Sequence, residues 1–427
     1  MHHRQGSARP PTREIGQPHV LFIEQFYYPE GWGGAELPRD ITIHLARHGY
    51  RVEVICGSDQ YAPLDGPAGP DPAEAGVTVR RISRLFGGDI HRHKLLRQLW
   101  FYAGLVPRLL FRRRPDLFVT QTNPPLTVPL VAAAAWLLRR PYVVIAMDVY
   151  PDVIVAHGAL PAHGPVTGLL GSVFRRAYRG ACRIVALGPI MAQRLVGKGI
   201  DAARIVEICN WSTGAAGVVR GDCNRLRSEW GLDGRFVLLY SGNLGIGHEF
   251  ETLLRAVASA RAELPDLRLV VIGKGSRLDE VRSRVEELRL GEIVRFSGLV
   301  PADRLPESLG VADLAVATLR PGFEGLIVPS KVVGYMARGI PVLYIGPRSD
   351  IDHLVERHDC GFALRNGDVD GVRRALVDAH ADRAMLASRG ESGRSGYDAE
   401  LARQHGLDRY ASLVAGCLAA RSPDGTR

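Results

Sequence analysis

Two kinds of residue in this sequence could hold a diphosphate group. Lys331 follows Pro329 and Ser330 at the predicted start of a helix, where an ammonium group and the helix dipole act together on phosphate oxygens. Glycine-rich turns between a predicted strand and a predicted helix occur in both halves, at Gly33-Gly34 and at Ser241-Gly242-Asn243. Such turns present backbone N–H groups to an anion. Two plainer interpretations stay open: a tight turn without a ligand at Gly33-Gly34, and a solvated lysine at Lys331.

The elements that must position these residues alternate between strand and helix. A length of 427 residues suits two domains of about 200 residues each. The alternation predicts an α/β protein with two doubly wound, Rossmann-like domains that face each other across a cleft. Predicted strands are 19–26, 51–56, 117–121, 142–147, 183–187 and 205–208 in the first half, and 235–240, 267–272, 292–296, 314–317 and 341–345 in the second.

The domain boundaries follow from composition. Residues 1–18 are polar and proline-rich, without the apolar core of a signal peptide, and we expect a disordered tail. The first Rossmann-like domain is expected at 19–209, a linker at 210–232 and the second domain at 233–395. The remaining stretch, 396–427, is expected to form a long helix and a tail. The helix, 397–420, is expected to pack back across the first domain.

Several chemistries are disfavoured by missing patterns. No G-x-G-x-x-G fingerprint follows a strand and no P-loop is present, which argues against nicotinamide and P-loop chemistry. The six cysteines are scattered, without zinc-site or disulfide spacing, and fit a reducing compartment. The longest apolar run, 126–138, is shorter than the roughly 20 residues that a membrane-spanning helix needs.

The whole net charge of +9 resides in one segment, 80–114, which has ten Lys or Arg residues and one acid, Asp89. Apolar residues recur there at helical spacing between basic flanks, a composition typical of an interfacial helix that meets anionic lipid. A core helix with solvated basic flanks is the alternative. No nucleic-acid motif accompanies the charge, so no nucleic-acid partner is expected. The residues predicted to contact the acceptor or the membrane are Arg92, Lys94, Arg97, Trp100, Arg112, Arg113 and Arg114.

Several short segments, in this order and spacing, give the sequence a specific resemblance. They are 26–36 (FYYPEGWGGAE), 121–126 (QTNPPL), 147–152 (MDVYPD), 210–211 (NW), 241–243 (SGN), 272–275 (IGKG), 296–298 (FSG) and 328–341 (VPSKVVGYMARGIP). From about residue 19 to about residue 400 the chain resembles the GT-B glycosyltransferases. The resemblance is to the retaining glycosyltransferase family four and, within it, to a bacterial subgroup that builds surface polysaccharides.

The resemblance implies a reaction and a location. The first domain would bind an acceptor and the second a nucleotide-diphosphate sugar, with a UDP-sugar favoured. Transfer would proceed with retention, without a metal or a cofactor, onto a membrane-associated, lipid-linked acceptor. The protein would lie in the cytoplasm, peripherally on the inner face of the cell membrane. Alternatives are a non-catalytic GT-B partner subunit and a nucleotide-sugar epimerase of the same fold.

The resemblance also assigns roles to residues. Gly33 and Gly34 would lie against donor phosphate or sugar, and Asp148 stands near the place where many relatives carry a histidine that touches the donor sugar. A helix cap is the alternative role for Asp148. The proposed donor-binding residues of the second domain are Gly242, Asn243, Gly273, Lys274, Leu299, Glu324, Pro329, Ser330 and Gly334, with Lys331 stabilising the leaving diphosphate.

Three positions depart from the wider family. Asn243 stands where most relatives have an arginine, so Lys331 must supply the positive charge. The usual glutamate pair would fall on Leu326 and Gly334, and Glu324 is the substitute that lies nearby. The Asp-x-Asp pairs at 350–352 and 368–370 come after the donor motifs; we expect them to be surface acids at helix starts, and we predict no metal site.

Overall fold

The computed structural model describes residues 16–29, 35–57, 70–83, 94–111, 114–212, 224–301 and 304–420. These residues form two parallel β-sheets, each covered by helices, as the alternation of elements predicts. Gly33, Gly34, Arg92, Arg112 and Arg113 lie outside the described residues, as does most of the expected N-terminal tail.

The first sheet has seven strands in the order β3-β2-β1-β4-β5-β6-β7. Its central strands are completely buried and consist mostly of Val, Ile, Leu and Phe, as expected when helices cover both faces of a parallel sheet. Its strands are β1 (His19–Ile23), β2 (Arg51–Gly57), β3 (Thr78–Ile82), β4 (Leu117–Gln121), β5 (Tyr142–Ile145), β6 (Arg183–Ala186) and β7 (Ile205–Glu207). Its helices are α1 (Glu36–Arg47), α2 (Lys94–Leu110), α3 (Thr127–Leu138), α4 (Asp152–Ala156), α5 (Pro165–Gly180) and α6 (Pro189–Gly197).

The second sheet has six strands in the order β10-β9-β8-β11-β12-β13, which repeats the winding of the first. Its strands are β8 (Phe236–Ser241), β9 (Leu267–Ile272), β10 (Val294–Gly298), β11 (Leu314–Thr318), β12 (Val342–Ile345) and β13 (Gly361–Leu364). The helices of this half are α7 (Arg225–Glu229), α8 (Glu251–Ala260), α9 (Leu278–Glu287), α10 (Leu305–Gly310), α11 (Lys331–Met336), α12 (Asp350–Arg357), α13 (Val369–Ala381), α14 (Arg383–Gly396) and α15 (Arg403–Ala419).

Two edge strands, β3 and β13, do not stand out in the sequence. β3 contains two arginines and buries only its last residue, and β13 has four half-buried residues. Edge strands are commonly short and charged, so they lack the apolar run that marks a central strand.

Helix α15 packs against α1 and β4 of the first sheet, after a π-helical turn at Tyr397–Leu401. Trp211 anchors this contact: its ring lies against Gly406, and its indole N–H donates to the Asp40 carboxylate at 3.1 Å. Arg403 pairs with the same carboxylate at 2.7 Å. The final helix therefore covers the first sheet, although it follows the second sheet in the chain.

The two halves touch through main chain beside the carboxyl end of β5. Asp148 and Ile327 form an isolated antiparallel bridge, and the Val149 N–H donates to the Leu326 carbonyl at 3.0 Å. A second contact lies nearby, where the Asp350 carboxylate accepts from the Ile190 N–H at 2.8 Å. Asp350 thus caps a helix of the first half from the start of a helix of the second.

Candidate functional site

A cavity of about 220 Å³ lies between the two sheets. Its wall in the first half consists of residues at or just after the carboxyl ends of β1, β4, β5, β6 and β7. In open α/β sheets, ligands bind at this edge. The lining residues are Glu24, Phe26, Gln121, Asn123, Met147, Asp148, Leu187 and Asn210 from the first half, and Ile327, Val328 and Ser330 from the second.

Asp148 lines this cavity. Burial raises the pKa of its carboxyl to about 6. Its N–H donates to the Thr122 hydroxyl at 3.0 Å, which fixes the main chain at the domain contact. The alternative role does not fit: Pro151 occupies the N-cap position of α4, and no side chain caps that helix.

Lys331 begins α11, and its ammonium nitrogen is buried without a hydrogen-bond partner among the described residues. The nitrogen lies 3.7 Å from the centre of the Tyr240 ring. A Cβ atom added at Gly242 would lie 3.5 Å from it. Burial lowers the pKa of Lys331 well below its usual value. The solvated-lysine interpretation is therefore wrong for this group.

The glycine turns of the second half adjoin one another. The Gly242 N–H donates to the Ile272 carbonyl and the Gly273 N–H to the Gly298 carbonyl, both at 2.9 Å, so the turns after β8, β9 and β10 form one surface. Gly273 has φ +143°, and a Cβ there would come within 2.0 Å of the Gly242 carbonyl oxygen. Only glycine fits at this crossing.

The other second-half candidates lie at the rim of these turns. Asn243 and Lys274 are exposed, and Leu299 is 65% exposed. The Asn243 carbonyl accepts from the Tyr240 hydroxyl at 2.7 Å, which links the rim to the ring beneath Lys331. An exposed leucine beside glycine turns offers an apolar surface to a flat ring.

His248 does not replace the missing arginine as a source of charge. Its Nδ1 lies 2.7 Å from the Thr318 carbonyl, and the side chain is buried. Burial, followed by the nearby Lys331, lowers the pKa of His248 to about 3, so the ring is neutral near pH 7.

The positions of the missing glutamates serve other purposes. Leu326 is buried and accepts the interdomain hydrogen bond from Val149. Gly334 is half-buried, and its carbonyl accepts from Arg338 at 3.0 Å. Glu324 is half-buried, and its carbonyl accepts from Arg194 at 3.2 Å. Pro329 is buried, whereas Ser330 is exposed and lines the cavity.

Glu24 and Asn123 also line the cavity, although sequence reasoning did not single them out as site residues. A signal was present for Glu24, because it is the only Asp, Glu, Lys or Arg in the mostly apolar segment 19–26. Asn123 lies inside the segment 121–126, which contributes to the family resemblance without a specific role for this side chain.

The expectation of surface acids is wrong for two of the four Asp-x-Asp residues. Asp350 and Asp352 are buried: Asp350 caps α6, and Asp352 pairs with Arg365 at 2.7 Å. Asp368 caps α13 by accepting from the Gly371 N–H, as a helix-start acid should. Within the described ranges, no group of three His, Cys, Asp or Glu side chains is arranged to hold a metal ion.

The predicted interfacial helix α2 buries one face, formed by Phe101, Leu105 and Leu109. Its other face carries exposed Leu95, Leu96, Leu99 and Trp100, and Phe111 just beyond it is 86% exposed. Lys94 begins the helix, Arg97 is half-buried and Arg114 is exposed. None of the described helices is long and apolar enough to cross a membrane.

Two family models match the chain in succession. Residues 33–211 match the Glycosyl transferase 4-like domain, and residues 223–396 match Glycosyl transferases group 1. The crystal structure of HepE from Anabaena in complex with UDP-glucose has the same fold, with a TM-score of 0.68, 18% identity, and coverage of 93% of this chain and 99% of that one.

Three curated relatives are similar over different lengths. A probable glycosyltransferase, WbjE, from Pseudomonas aeruginosa is 27% identical over 71% of this chain and 75% of its own. The putative colanic acid biosynthesis glycosyl transferase WcaI from Escherichia coli is 24% identical over 73% and 79%. A GDP-mannose-dependent phosphatidylinositol monomannoside mannosyltransferase from Mycolicibacterium smegmatis is 29% identical over 40% and 45%. The two family models together match most of the chain, one on each of its two doubly wound halves. This chain therefore belongs to the GT-B glycosyltransferases of the family-four type.

Proposed function

We propose that this glycosyltransferase moves a sugar from a UDP-sugar to a lipid-linked acceptor at a membrane surface, with retention, in the synthesis of a cell-surface polysaccharide or glycolipid. The observation that carries the donor part is the buried ammonium of Lys331, which has no hydrogen-bond partner in the described part of the chain. A buried amine without a hydrogen-bond partner is costly, above all when it is protonated, and a bound diphosphate would supply the partner.

The base of the donor would lie on the glycine surface formed by the turns after β9 and β10, beside exposed Leu299. The preference for uridine follows the resemblance to the polysaccharide subgroup. Guanosine is the alternative, because one relative is GDP-mannose-dependent by name while HepE is bound to UDP-glucose.

Lys331 would stabilise the negative charge that develops on the leaving diphosphate, since a preorganised cation in a water-poor site acts most strongly where charge develops. Asp148 would contact the donor sugar from the opposite wall of the cavity. Closure of the two domains would exclude water, which would otherwise hydrolyse the donor. Transfer without a covalent enzyme intermediate and with retention is the mechanism that the family resemblance implies.

The membrane part of the proposal is supported by three neighbouring helices of the first half. α3 packs against both α2 and α5, and all three expose large apolar side chains. Exposed arginines follow two of these helices in the sequence: Arg114 comes three residues after Phe111, and Arg139 directly follows α3. Apolar side chains bordered by cations are typical of surfaces that dock on anionic lipid, and we propose a peripheral location on the cytoplasmic face.

The first experiment is thermal unfolding of the purified chain with UDP, GDP, dTDP and NADH at equal concentration. A ligand present at about 100 times its dissociation constant adds about 2.7 kcal/mol to the free energy of unfolding, which is visible as a shift in Tm. We expect UDP to stabilise the chain selectively. Selective stabilisation by GDP would correct the donor class, and no shift with any nucleoside diphosphate would contradict the proposed donor site.

A transfer assay then tests the acceptor. Radiolabelled UDP-sugar is incubated with the chain and with lipid extracts, and the label is followed into the organic phase. Label that stays in the aqueous phase with every lipid extract, while UDP still stabilises the chain, would contradict the lipid-linked acceptor alone.

A further inference from the structure

A second and larger cavity, of about 570 Å³, lies on the first half beside the domain contact. It is formed by α4, α5 and α6 together with the segment 322–326 of the second half, next to the main-chain contact between Val149 and Leu326. The cavity therefore adjoins the proposed donor cavity along the same two segments. The two cavities share no lining residue.

The charges in this cavity favour an anion. Arg175, Arg194, Lys198 and His163 line it, against the single carboxylate of Asp152. Lys198 pairs with that carboxylate, and Arg194 lies 3.7 Å from it. Three permanent cations around one acid leave a net positive cavity wall.

Two of these cations keep hydrogen-bonding capacity. Arg175 is exposed and has no ion pair or hydrogen bond to any described residue. The Nε of Arg194 is buried and lacks a partner within the described ranges, although its Nη1 donates to the Glu324 carbonyl. An arginine fork that can pair with two oxygens at once is the side chain best suited to phosphate.

Glycines open the helix surface beneath these cations. Gly168, Gly171 and Arg175 are spaced by three and four residues, so they share one face of α5, and they line the cavity together with Gly164, the N-cap residue of that helix. A Cβ atom added at Gly168 or Gly171 would meet no atom within 4 Å. The absent side chains are thus part of the cavity volume.

The far side of the same helix is apolar and exposed. Val166, Leu169 and Val173 are spaced by three and four residues, and Leu169 is 66% exposed. At 100° per residue they point away from the cavity-lining face. Trp136 and Leu137 of the adjacent α3 extend this surface, with Trp136 78% exposed. A cationic cavity thus lies about one helix diameter, roughly 10 Å, from an apolar surface.

We propose that this cavity binds the phosphate or diphosphate group that joins the acceptor's sugar to its lipid. The inference rests on the proposed lipid-linked acceptor and adds the place where its head group binds. The phosphates lie between Arg175 and Arg194 over the glycine face of α5, the lipid runs toward the apolar side of the helix, and the sugar extends toward the donor cavity. The cavity falls within the roughly 300–1,000 Å³ typical of small-molecule sites, which leaves room for a sugar beside the phosphates.

The test measures the Kd of farnesyl diphosphate, a soluble prenyl diphosphate, by titration calorimetry on the full chain. Farnesol and inorganic diphosphate are titrated separately. Arg175→Gln removes the free cation, and Gly171→Leu places a side chain in the cavity while raising helix propensity. The matched controls are Arg176→Gln, which alters the next arginine of α5, also exposed, and Gly416→Leu on α15, where an added Cβ also meets no atom within 4 Å.

We expect Arg175→Gln to raise the Kd of farnesyl diphosphate about tenfold or more, because a charge-assisted hydrogen bond is lost. We expect Gly171→Leu to abolish binding. Both controls should bind like the wild type, and all four variants should bind UDP or GDP like the wild type. Equal binding by every variant, or no binding by the wild type, would overturn the assignment.

Two other outcomes would also overturn it. Inorganic diphosphate that binds as tightly as farnesyl diphosphate would identify a site for free phosphate groups and not for a lipid head group. Competition between farnesyl diphosphate and UDP or GDP would make the cavity part of the donor site. A failure of the proposed donor function is seen separately, as the absence of nucleoside diphosphate binding to the wild type.

Discussion

The ammonium nitrogen of Lys331 lies over the face of Tyr240, 3.7 Å from the ring centre. The ring is held by its own hydroxyl, which donates to the Asn243 carbonyl at 2.7 Å. An aromatic face attracts a cation more strongly once water is excluded. Tyr240 at the end of β8 therefore positions the lysine of α11 beside the glycine turns.

Replacing Lys331 with Met should change stability and activity in opposite directions. In the ligand-free protein, Met removes a buried amine without a hydrogen-bond partner in the described chain, so we expect the free energy of unfolding to rise by about 1–3 kcal/mol. We also expect kcat to fall by roughly 100-fold or more, as when one preorganised donor is removed from a transition-state site. Chemical denaturation and a transfer assay on the same preparation measure both changes, and unchanged turnover would remove Lys331 from the site.

Binding of a nucleoside diphosphate should take up a proton at Lys331. Burial holds the pKa of Lys331 well below its usual value in the free protein, and an adjacent diphosphate would raise it. Affinity should therefore fall as the pH rises through the lowered pKa. Calorimetry in buffers of different ionisation enthalpy measures the proton uptake. Lys331→Met is the control, and the same uptake in that variant would assign the proton to another group.

Asp148 should give the wild-type enzyme an acidic limb near pH 6. Burial raises the pKa of this carboxyl to about 6, so the ionised form that can accept a sugar hydroxyl is lost as the pH falls through that value. In the profile of kcat/KM against pH, Asp148→Asn should be slower and should lack this limb.

The raised pKa also means that Asp148 contributes stability below its usual pKa that is lost as the pH rises through about 6. The free energy of unfolding of Asp148→Asn, relative to that of the wild type, should therefore be higher at pH 8 than at pH 4.

The Asp350 cap should stabilise the contact between the two halves. Asp350→Ala removes the acceptor for the Ile190 N–H, and we expect a loss of about 1–2 kcal/mol, typical of a lost helix cap. Gly188→Ala tests the same contact from the other side, because a Cβ there would come within 2.4 Å of the Asp350 carboxylate. Asp368→Ala, which removes a cap within the second half alone, is the control. Small-angle scattering should show a wider interdomain separation for the first two variants only, and identical scattering would contradict the assigned role.

The exposed apolar surface of the first half should drive binding to anionic vesicles. Leu99→Ser, Trp136→Ser and Leu169→Ser combined remove one large side chain from each of α2, α3 and α5, and we expect most of the protein to remain in the supernatant after co-sedimentation. Val196→Ser, an exposed apolar residue on α6, is the control. Neutral vesicles and high salt should weaken wild-type binding, since the bordering arginines act through charge. Equal sedimentation of the triple variant would argue against this surface.

Much of the fold could be predicted because buried parallel strands are unmistakable in a sequence. β1, β4 and β8 each contain at least three consecutive apolar residues, and they form the centres of the two sheets. β3 and β13 could not be recognised in this way, since their stability comes from pairing with a neighbour and not from their own composition.

The candidate site was less predictable, because its geometry depends on contacts between distant segments. Lys331 and Gly242 could be named from their local patterns, but the burial of the ammonium against Tyr240 depends on the packing of α11 across the end of β8. The burial of Asp350 follows from contact with the other half of the chain, so a local pattern suggested a surface residue. The cationic cavity beside α5 joins side chains from three helices, and no single segment carries its signal.

The packing of α15 has a practical consequence for dividing this protein. Because Trp211 and Arg403 meet on the Asp40 carboxylate, the first structural unit is discontinuous in the sequence, and the second is in effect an insertion within it. A fragment that stops at the linker would expose the apolar surface of α1 and β4 that α15 covers. An isolated first unit would need residues 403–420 supplied through a short engineered connection or as a separate peptide. A circular permutant opened within the linker would keep α15 in the same chain as α1 and β4, which it covers.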